Sequence, residues 1–328
     1  NYATNFKYLP SLNGFESLSP VSSGDYRVSI FSLRTAFQDD RGPTGLYRQF
    51  ENTRSVISQR LGASNPNSAG VSDGFAEGYG KNSQDVIIHS FLSAYTGRDP
   101  HTSRLSRFPS VPVPNWRITY NGLSKFRMFE EIFASFDLNH SYNSTYNVNG
   151  FNSLVRYQEN NGAVSVRDAS GNFLPFYQFS QISLFEQFVP LLGLDMRFRN
   201  SMTANFEYRK SRALSLSLSN SQLARQNDEA LVFGLGYRTN RFRFPFGLFS
   251  GLKMDNDMNF KLDVAVNDRK TEIYRAEVAE PEVSSGARNI SLRPSVDYVL
   301  NQRFNVRMFY DGSITQPYTS QTFYTAFS

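Results

Sequence analysis

From Gln181 onward the chain reads QISLFEQFVPLLGLDMRFRNSMTANFEYRKSRALSLSLSN, then a polar gap, then EALVFGLGYR. The even positions are Ile182, Leu184, Glu186, Phe188, Pro190, Leu192, Leu194, Met196 and Phe198. After Asn200-Ser201 they continue as Met202, Ala204, Phe206, Tyr208, Lys210, Arg212, Leu214, Leu216 and Leu218. The odd positions carry Asp195, Arg197, Arg199, Thr203, Asn205, Glu207, Arg209, Ser215 and Ser217. A period of two over this length specifies β-strand with one apolar and one polar face. It predicts two strands of about 18 residues joined by a two-residue turn. Ordinary globular strands run about 5–6 residues, and a strand needs only about 9–11 to cross a bilayer. A hairpin this long can span a membrane and project well beyond it, its apolar face toward lipid and its charged face toward a wet lumen. A long twisted hairpin in a soluble β-protein is the alternative.

Composition fits the first reading. Mean hydropathy is low, at −0.43, and no apolar run approaches the roughly 18 residues of a membrane helix. Membrane barrels conceal their hydrophobicity in this way, because every second residue is polar. The 30 Phe and 18 Tyr among 328 residues suit aromatic girdles, although a Phe-rich sandwich core would also use them. The absence of cysteine excludes disulfides and thiolate metal sites. The net charge of +5 is spread along strands, whereas nucleic-acid binders cluster their Lys and Arg. The N-terminal NYATNFKYLP has no charged region followed by an apolar one, so no signal peptide is expected within the chain. TSQTFYTAFS at the other end does not alternate like a closing strand. Both ends suggest a mature chain or a piece of a longer one.

In chain order, Asp25–Phe37 is an imperfect strand. Residues 38–84 form a loop and short-helix insertion. Within it a helix is expected at 45–61, where Phe50, Ile57 and Leu61 share one face after a Gly-Pro-Thr start. GYGKNSQ (78–84) is a turn. Asp85–Tyr95 is a more apolar strand, and 97–114 is a stiff Pro-rich connector. WRITYNG (116–122) is a strand, LSKFRMF a turn, and Ile132–Val148 a long strand. Residues 149–180 are a polar excursion with a small hairpin near Asp168–Gly171. Four strands follow the central hairpin: Ala230–Thr239, Met258–Asn267, Asn289–Leu300 and Phe304–Asp311. The total is about ten. The short turns at Asn200-Ser201 and Asn301-Gln302 fall on one side. The long loops 149–180, 220–229 and 269–288 fall on the other, as in outer-membrane barrels. Only 240–257 breaks that rule.

Two residue sets follow from parity. The expected lipid face carries Leu192, Leu194, Met196, Phe198, Leu214, Leu216, Leu218, Phe260, Leu262, Val264, Val306 and Met308. The expected lumen face carries Asp195, Arg197, Arg199, Glu207, Arg209, Lys261, Asp263, Arg293, Asp297 and Arg307. Catalytic machinery is not expected. His89, His101 and His140 have no metal spacing, and His140 reads as structural. Asp39-Asp40 and Asp255-Asn256-Asp257 read as solvated turns rather than calcium ligands. There is no G-x-S-x-G, and Gly234-Leu-Gly236 reads as close strand packing. No metal, cofactor or enzymatic activity is expected.

The segments PNWRITYNGLSKF (114–126), LNHSYNSTYNV (138–148), EQFVPLLGLDMRFRNSMTANFEYRKSRALSLSLSNSQL (186–223), LVFGLGYR (231–238) and SLRPSVDYVLNQRFNVRMFYD (291–311) resemble the C-terminal part of the SprA/Sov family. The resemblance runs in order over most of the chain, most clearly from Asp85. That family is the outer-membrane translocon of the Bacteroidetes type IX secretion system. The resemblance implies that residues 1–328 are the C-terminal segment of one very large transmembrane antiparallel β-barrel. It implies a channel passing folded cargo proteins to the surface, with gliding adhesins among them in gliding species. It implies a periplasmic plug protein, a PorV-type partner barrel, and outer-membrane lipid as surroundings, with no nucleic acid. An outer-membrane transport barrel for small solutes or nutrients is the alternative function. A soluble extracellular β-domain binding glycans or adhesion partners is a third.

Overall fold

The alternation of apolar and polar residues becomes pairing in the computed structural model. It describes residues 5–9, 14–19, 22–42, 44–240, 242–243, 253–254, 256–275, 278, 280–301, 303–320 and 324–327. The main sheet has eleven antiparallel strands. In chain order they are β1 (Ser23–Ser29), β2 (Trp116–Tyr120), β3 (Phe133–Ser153), β4 (Tyr177–Phe198), β5 (Met202–Ser217), β6 (Gln222–Thr239), β7 (Met258–Tyr274), β8 (Glu282–Asn301), β9 (Phe304–Phe309), β10 (Gly312–Pro317) and β11 (Tyr324–Phe327). Their spatial order is β11-β10-β8-β7-β6-β5-β4-β3-β1, with β9 also on β8 and β2 also on β3. Among the described residues no pairing joins the two ends of this order.

The central hairpin is β4–β5. Leu194 pairs with Phe206 and Met196 with Ala204. Its turn holds Arg199, Asn200 and Ser201, with Ser201 at φ 66°. Between Phe188 and Leu192, β4 carries two residues more than β5. An excess of two preserves parity, so the even residues on either side of the bulge share one face.

β9 and β10 are one strand line along β8. Met308 faces Val296, and Ile314 faces Ile290. Between them the Tyr310 amide donates to the Pro294 carbonyl at 3.0 Å. Pro294 has no N–H to return the bond, and the ladder breaks there.

β1 and β2 likewise form one line along β3: Ser29 faces Thr145 and Trp116 faces Tyr142. Residues 30–115 are therefore an insertion spliced into a single strand. It holds helices α1 (Leu46–Ala63) and α2 (Gln84–Thr96). α1 covers the expected helix, with Gly45 at its N-cap and Phe50 and Ile57 buried.

The expected strand Asp85–Tyr95 is instead α2. Every residue of α2 from Asp85 to Thr96 is buried. A helix enclosed on all sides shows no polar stripe, so periodicity alone cannot separate it from a buried strand. Its boundaries were signalled: Ser83 precedes it, Asp85 lies in its first turn, and Gly97 closes it at φ 66°. A Cβ on Gly97 would also lie 3.0 Å from that of Arg34. Gly97→Ala is expected to cost about 1–2 kcal/mol, read from the thermal midpoint of the intact protein.

Four further expectations change. Asp25–Phe37 is strand only to Ser29, followed by a 3-10 turn at Leu33–Thr35. The expected loop 220–229 is a four-residue turn, Leu218–Ser221, and β6 begins at Gln222. The loop 269–288 shrinks because β7 runs to Tyr274 and β8 starts at Glu282. The terminal Tyr324–Phe327 pairs with β10. Within 240–257, residues 242–243 pair with 253–254; most of that segment, and Asp255, lie outside the described residues.

Candidate functional site

The sheet presents two chemically distinct faces. Cross-strand register places Leu194, Phe206, Phe233, Val264 and Leu292 in one row of one face. The apolar stretch on β7 runs from Met258 to Val266 and on β8 from Ile290 to Tyr298. Each is about nine residues, near the 9–11 that a tilted strand needs to cross hydrocarbon. The band is open to its surroundings: Leu192 is 38% exposed and Met308 59%. Phe198, Phe260 and Leu262 line the same band with Val306, all half-buried. Aromatic rings border both edges. Phe133, Phe136 and Phe198 cluster near the Arg199–Ser201 turn, with Phe133 4.7 Å from Phe198. Trp116, Tyr142 and Phe188 cluster at the other edge, with Trp116 4.6 Å from Tyr142, Tyr142 and Phe188 being buried there in a cluster with Ala36.

The band does not extend along the whole face. Beyond Lys210 and Glu229 the same face is covered by the insertion. Ile87, Ile88, Phe91 and Tyr95 of α2 pack with Tyr146, Ile182, Leu184, Leu214, Leu216 and Leu223. Leu214 and Leu216 are 0% exposed, and Leu218 packs on the same cluster from the turn. These three residues therefore belong to the insertion's core and not to the exposed band. Parity assigned them to the correct face but could not say what covers it.

Polar side chains join insertion and sheet at the boundary. The Glu186 carboxylate faces Arg212 across β4–β5. Arg212 donates from Nη2 to Glu186 Oε2 at 2.9 Å and from Nη1 to the Thr35 carbonyl at 2.9 Å. Glu186 Oε1 accepts from Ser32 Oγ at 2.7 Å and from the Tyr142 hydroxyl at 2.9 Å. The Glu186 and Arg212 side chains are 2% and 4% exposed. A second pair, Arg225 with Asp40, lies 2.9 Å apart. Glu272 meets Arg41 and, at 2.8 Å, Lys270. Burial pushes the Asp40 carboxyl up to about 6, against the opposing pull of Arg225 and Arg212. Sequence reasoning missed this network. Part of the signal was in the sequence: Glu186 and Arg212 each interrupt the apolar parity, but counting back from the turn sets Glu186 against Leu214, and only the two-residue bulge brings it opposite Arg212.

The opposite face is mainly polar, with Val299 and Phe309 exposed on it among the charges. Asp195, Arg197, Arg209, Lys261, Asp263, Arg293 and Arg307 are exposed on it, with Glu207 and Asp297 half-buried. Arg199 leaves this set because it lies in the turn, where its Nε donates to the Glu130 carbonyl at 3.0 Å. Charges of both signs meet locally. Glu207 and Arg209 are 2.5 Å apart, Arg293 and Asp311 3.1 Å, and Arg307 and Asp297 3.4 Å. Asp195 accepts from Asn139 at 2.9 Å. At the β4 bulge this face hollows into a polar recess of about 270 Å³ bordered by Arg117, Asp195 and Glu207. Arg307→Ala is expected to change stability by no more than about 1 kcal/mol, checked by denaturant unfolding of the intact protein.

The histidines are held locally. His140 Nδ1 lies 2.7 Å from the Leu191 carbonyl, and His89 Nδ1 lies 2.6 Å from that of Asp85. Among the described residues no group of three or more His, Cys, Asp or Glu could hold a metal, and no helix is long and apolar enough to cross a membrane. No protein-family model matches this chain, and no curated protein is similar to it.

Proposed function

We propose that this chain forms part of the wall of a protein-conducting channel in the outer membrane, a translocon of the type IX secretion system. The observation that carries the membrane part is the two-faced sheet. One face bears an apolar band of crossing height with aromatic clusters near its edges, and the other is mainly polar. A strand edge left open in hydrocarbon costs several kcal/mol for each unpaired backbone group. The strand lines ending at β1/β2 and at β11 therefore pair with further strands, making this sheet one arc of a larger closed barrel. The polar face lines its lumen, with lipid against the apolar band. Charges of both signs, paired with one another, give a wall that hydrates cargo without holding it.

The translocon assignment rests on the resemblance of the strand segments to the SprA/Sov family, and it brings with it folded cargo, a plug protein and a PorV-type partner barrel. Strands of 22 and 21 residues in β4 and β3 exceed the height of any bilayer, which suits a wall extended outside the membrane around a large passenger. Depleting the protein in its host should stop release of folded secreted proteins while small-nutrient uptake continues. Loss of uptake with intact secretion would favour the small-solute barrel instead.

A further inference from the structure

Between β1 and α1 the chain turns at Leu33–Thr35. Phe31 and Phe37, on either side, are 36% and 57% exposed. Phe37 stacks on Phe188 at 5.4 Å, and Lys210 Nζ sits 5.2 Å over its ring. Phe188 and Lys210 are register partners, one row beyond Leu192 and Tyr208 at the end of the apolar band. The turn therefore overhangs the edge of the band. Leu33 packs in one cluster with Trp116 and Leu191, so apolar surface continues from the band onto the turn.

The charges at this edge are not all paired. Lys210 has Glu229 at 2.9 Å. Arg34, between the two phenylalanines, is exposed and donates to the Gly97 carbonyl at 3.5 Å. Arg98, the next residue in the chain after Gly97, is half-buried, and burial lowers its pKa. Neither arginine has a carboxylate partner among the described residues, whereas Arg41, Arg212 and Arg225 of the neighbouring network each do.

Exposed rings beside unpaired guanidinium groups are the composition of an interfacial membrane anchor, and a guanidinium fork matches phosphate oxygens. The geometry points to a lipid-binding rim. Phe31 and Phe37 enter the boundary between headgroups and acyl chains, while Arg34 and Arg98 take the phosphates of the leaflet that the insertion overhangs. The inference rests on the membrane reading of the apolar band. It assigns the insertion a task of its own, fixing the height of the wall against the membrane surface.

The test uses intact protein in phosphatidylcholine nanodiscs containing phosphatidylglycerol. Nitroxide labels go on Phe37→Cys, Leu194→Cys and, as a watery reference, Val71→Cys, which is 63% exposed. Phe31→Cys supplies a second rim label. Oxygen accessibility relative to a soluble nickel chelate should be highest at 194, intermediate at 37 and 31, and lowest at 71. If 194 is lipid-like but 37 and 31 are as watery as 71, the rim is refuted and the membrane reading stands. If 194 is itself watery, both fall. In a second arm, the preference for phosphatidylglycerol over phosphatidylcholine among co-purified lipids should drop about fivefold for each of Arg34→Gln and Arg98→Gln. An unchanged ratio in both variants would overturn the phosphate assignment.

Discussion

Arg212→Ala should release the helical insertion from the sheet. It removes one partner of a buried ion pair and leaves Glu186, 2% exposed, charged without its counter-ion. The cost of such an orphaned charge is about 3–5 kcal/mol. The loss would appear at the insertion first, because the same guanidinium holds the Thr35 carbonyl and hydroxyl, while Ser32 and Tyr142 converge on the same carboxylate. Hydrogen exchange of α1 and α2 amides in the intact protein should accelerate, with β6 and β7 unchanged across the apolar band. Replacing both partners, Glu186→Leu with Arg212→Leu, should be milder, since no buried charge remains. Protection of α2 that survives Arg212→Ala would show that apolar packing from Phe91 and Tyr95 suffices and that the pair is incidental.

Val264→Lys should cost about 2–4 kcal/mol in a bilayer. Val264 lies between Phe233 and Leu292 in register, near the middle of the band. A lysine there must desolvate or reach for an interface. One residue away, Asp263 is exposed on the polar face, and Asp263→Lys changes charge without entering lipid. The amount of heat-resistant assembled protein in the outer-membrane fraction should fall for Val264→Lys and hold for Asp263→Lys. Equal losses for the two would mean that the faces do not differ in environment.

What the sequence made legible follows from where the two faces of the sheet differ in chemistry. Leu192 to Phe198 and Met202 to Tyr208 alternate because successive residues lie on opposite, chemically different faces. Hence strand, hairpin and face could all be read there. Farther along β6 and β7 that contrast ends. Arg225, Asn227 and Glu229 share the face of Leu231, and Asp268, Lys270 and Glu272 that of Val266. The ladder continues while the hydropathy signal stops, so both strands appeared shorter than they are. α2 failed for the opposite reason. Val86, Ile87, Ile88, Phe91 and Leu92 are buried on all sides, and so are the polar His89 and Ser90 between them, and a uniform environment leaves no period to read. Only the Ser83, Asp85 and Gly97 punctuation marked it as helix. The burial of Leu214 and Leu216 was not legible because a lipid-facing leucine and one beneath a helix have the same residue type and parity. Glu186 and Arg212 stand out as charges in apolar rows, but the bulge between Phe188 and Leu192 is what sets them opposite each other. Their partners Ser32, Thr35 and Tyr142 lie 44 to 177 positions away in the chain, and only the fold brings them together.

A density map of the intact protein in a lipid nanodisc tests the central claim most directly. The expected result is a closed barrel in which additional strands continue from the β1/β2 line and from β11. The lipid belt should lie against Leu194, Phe233, Val264 and Leu292, with the insertion above it over Leu214 and Leu216 and the Asp263 face turned inward to water. A map in which protein covers the Leu194–Val264 band, or in which the belt lies against Asp195 and Asp263, would contradict the account.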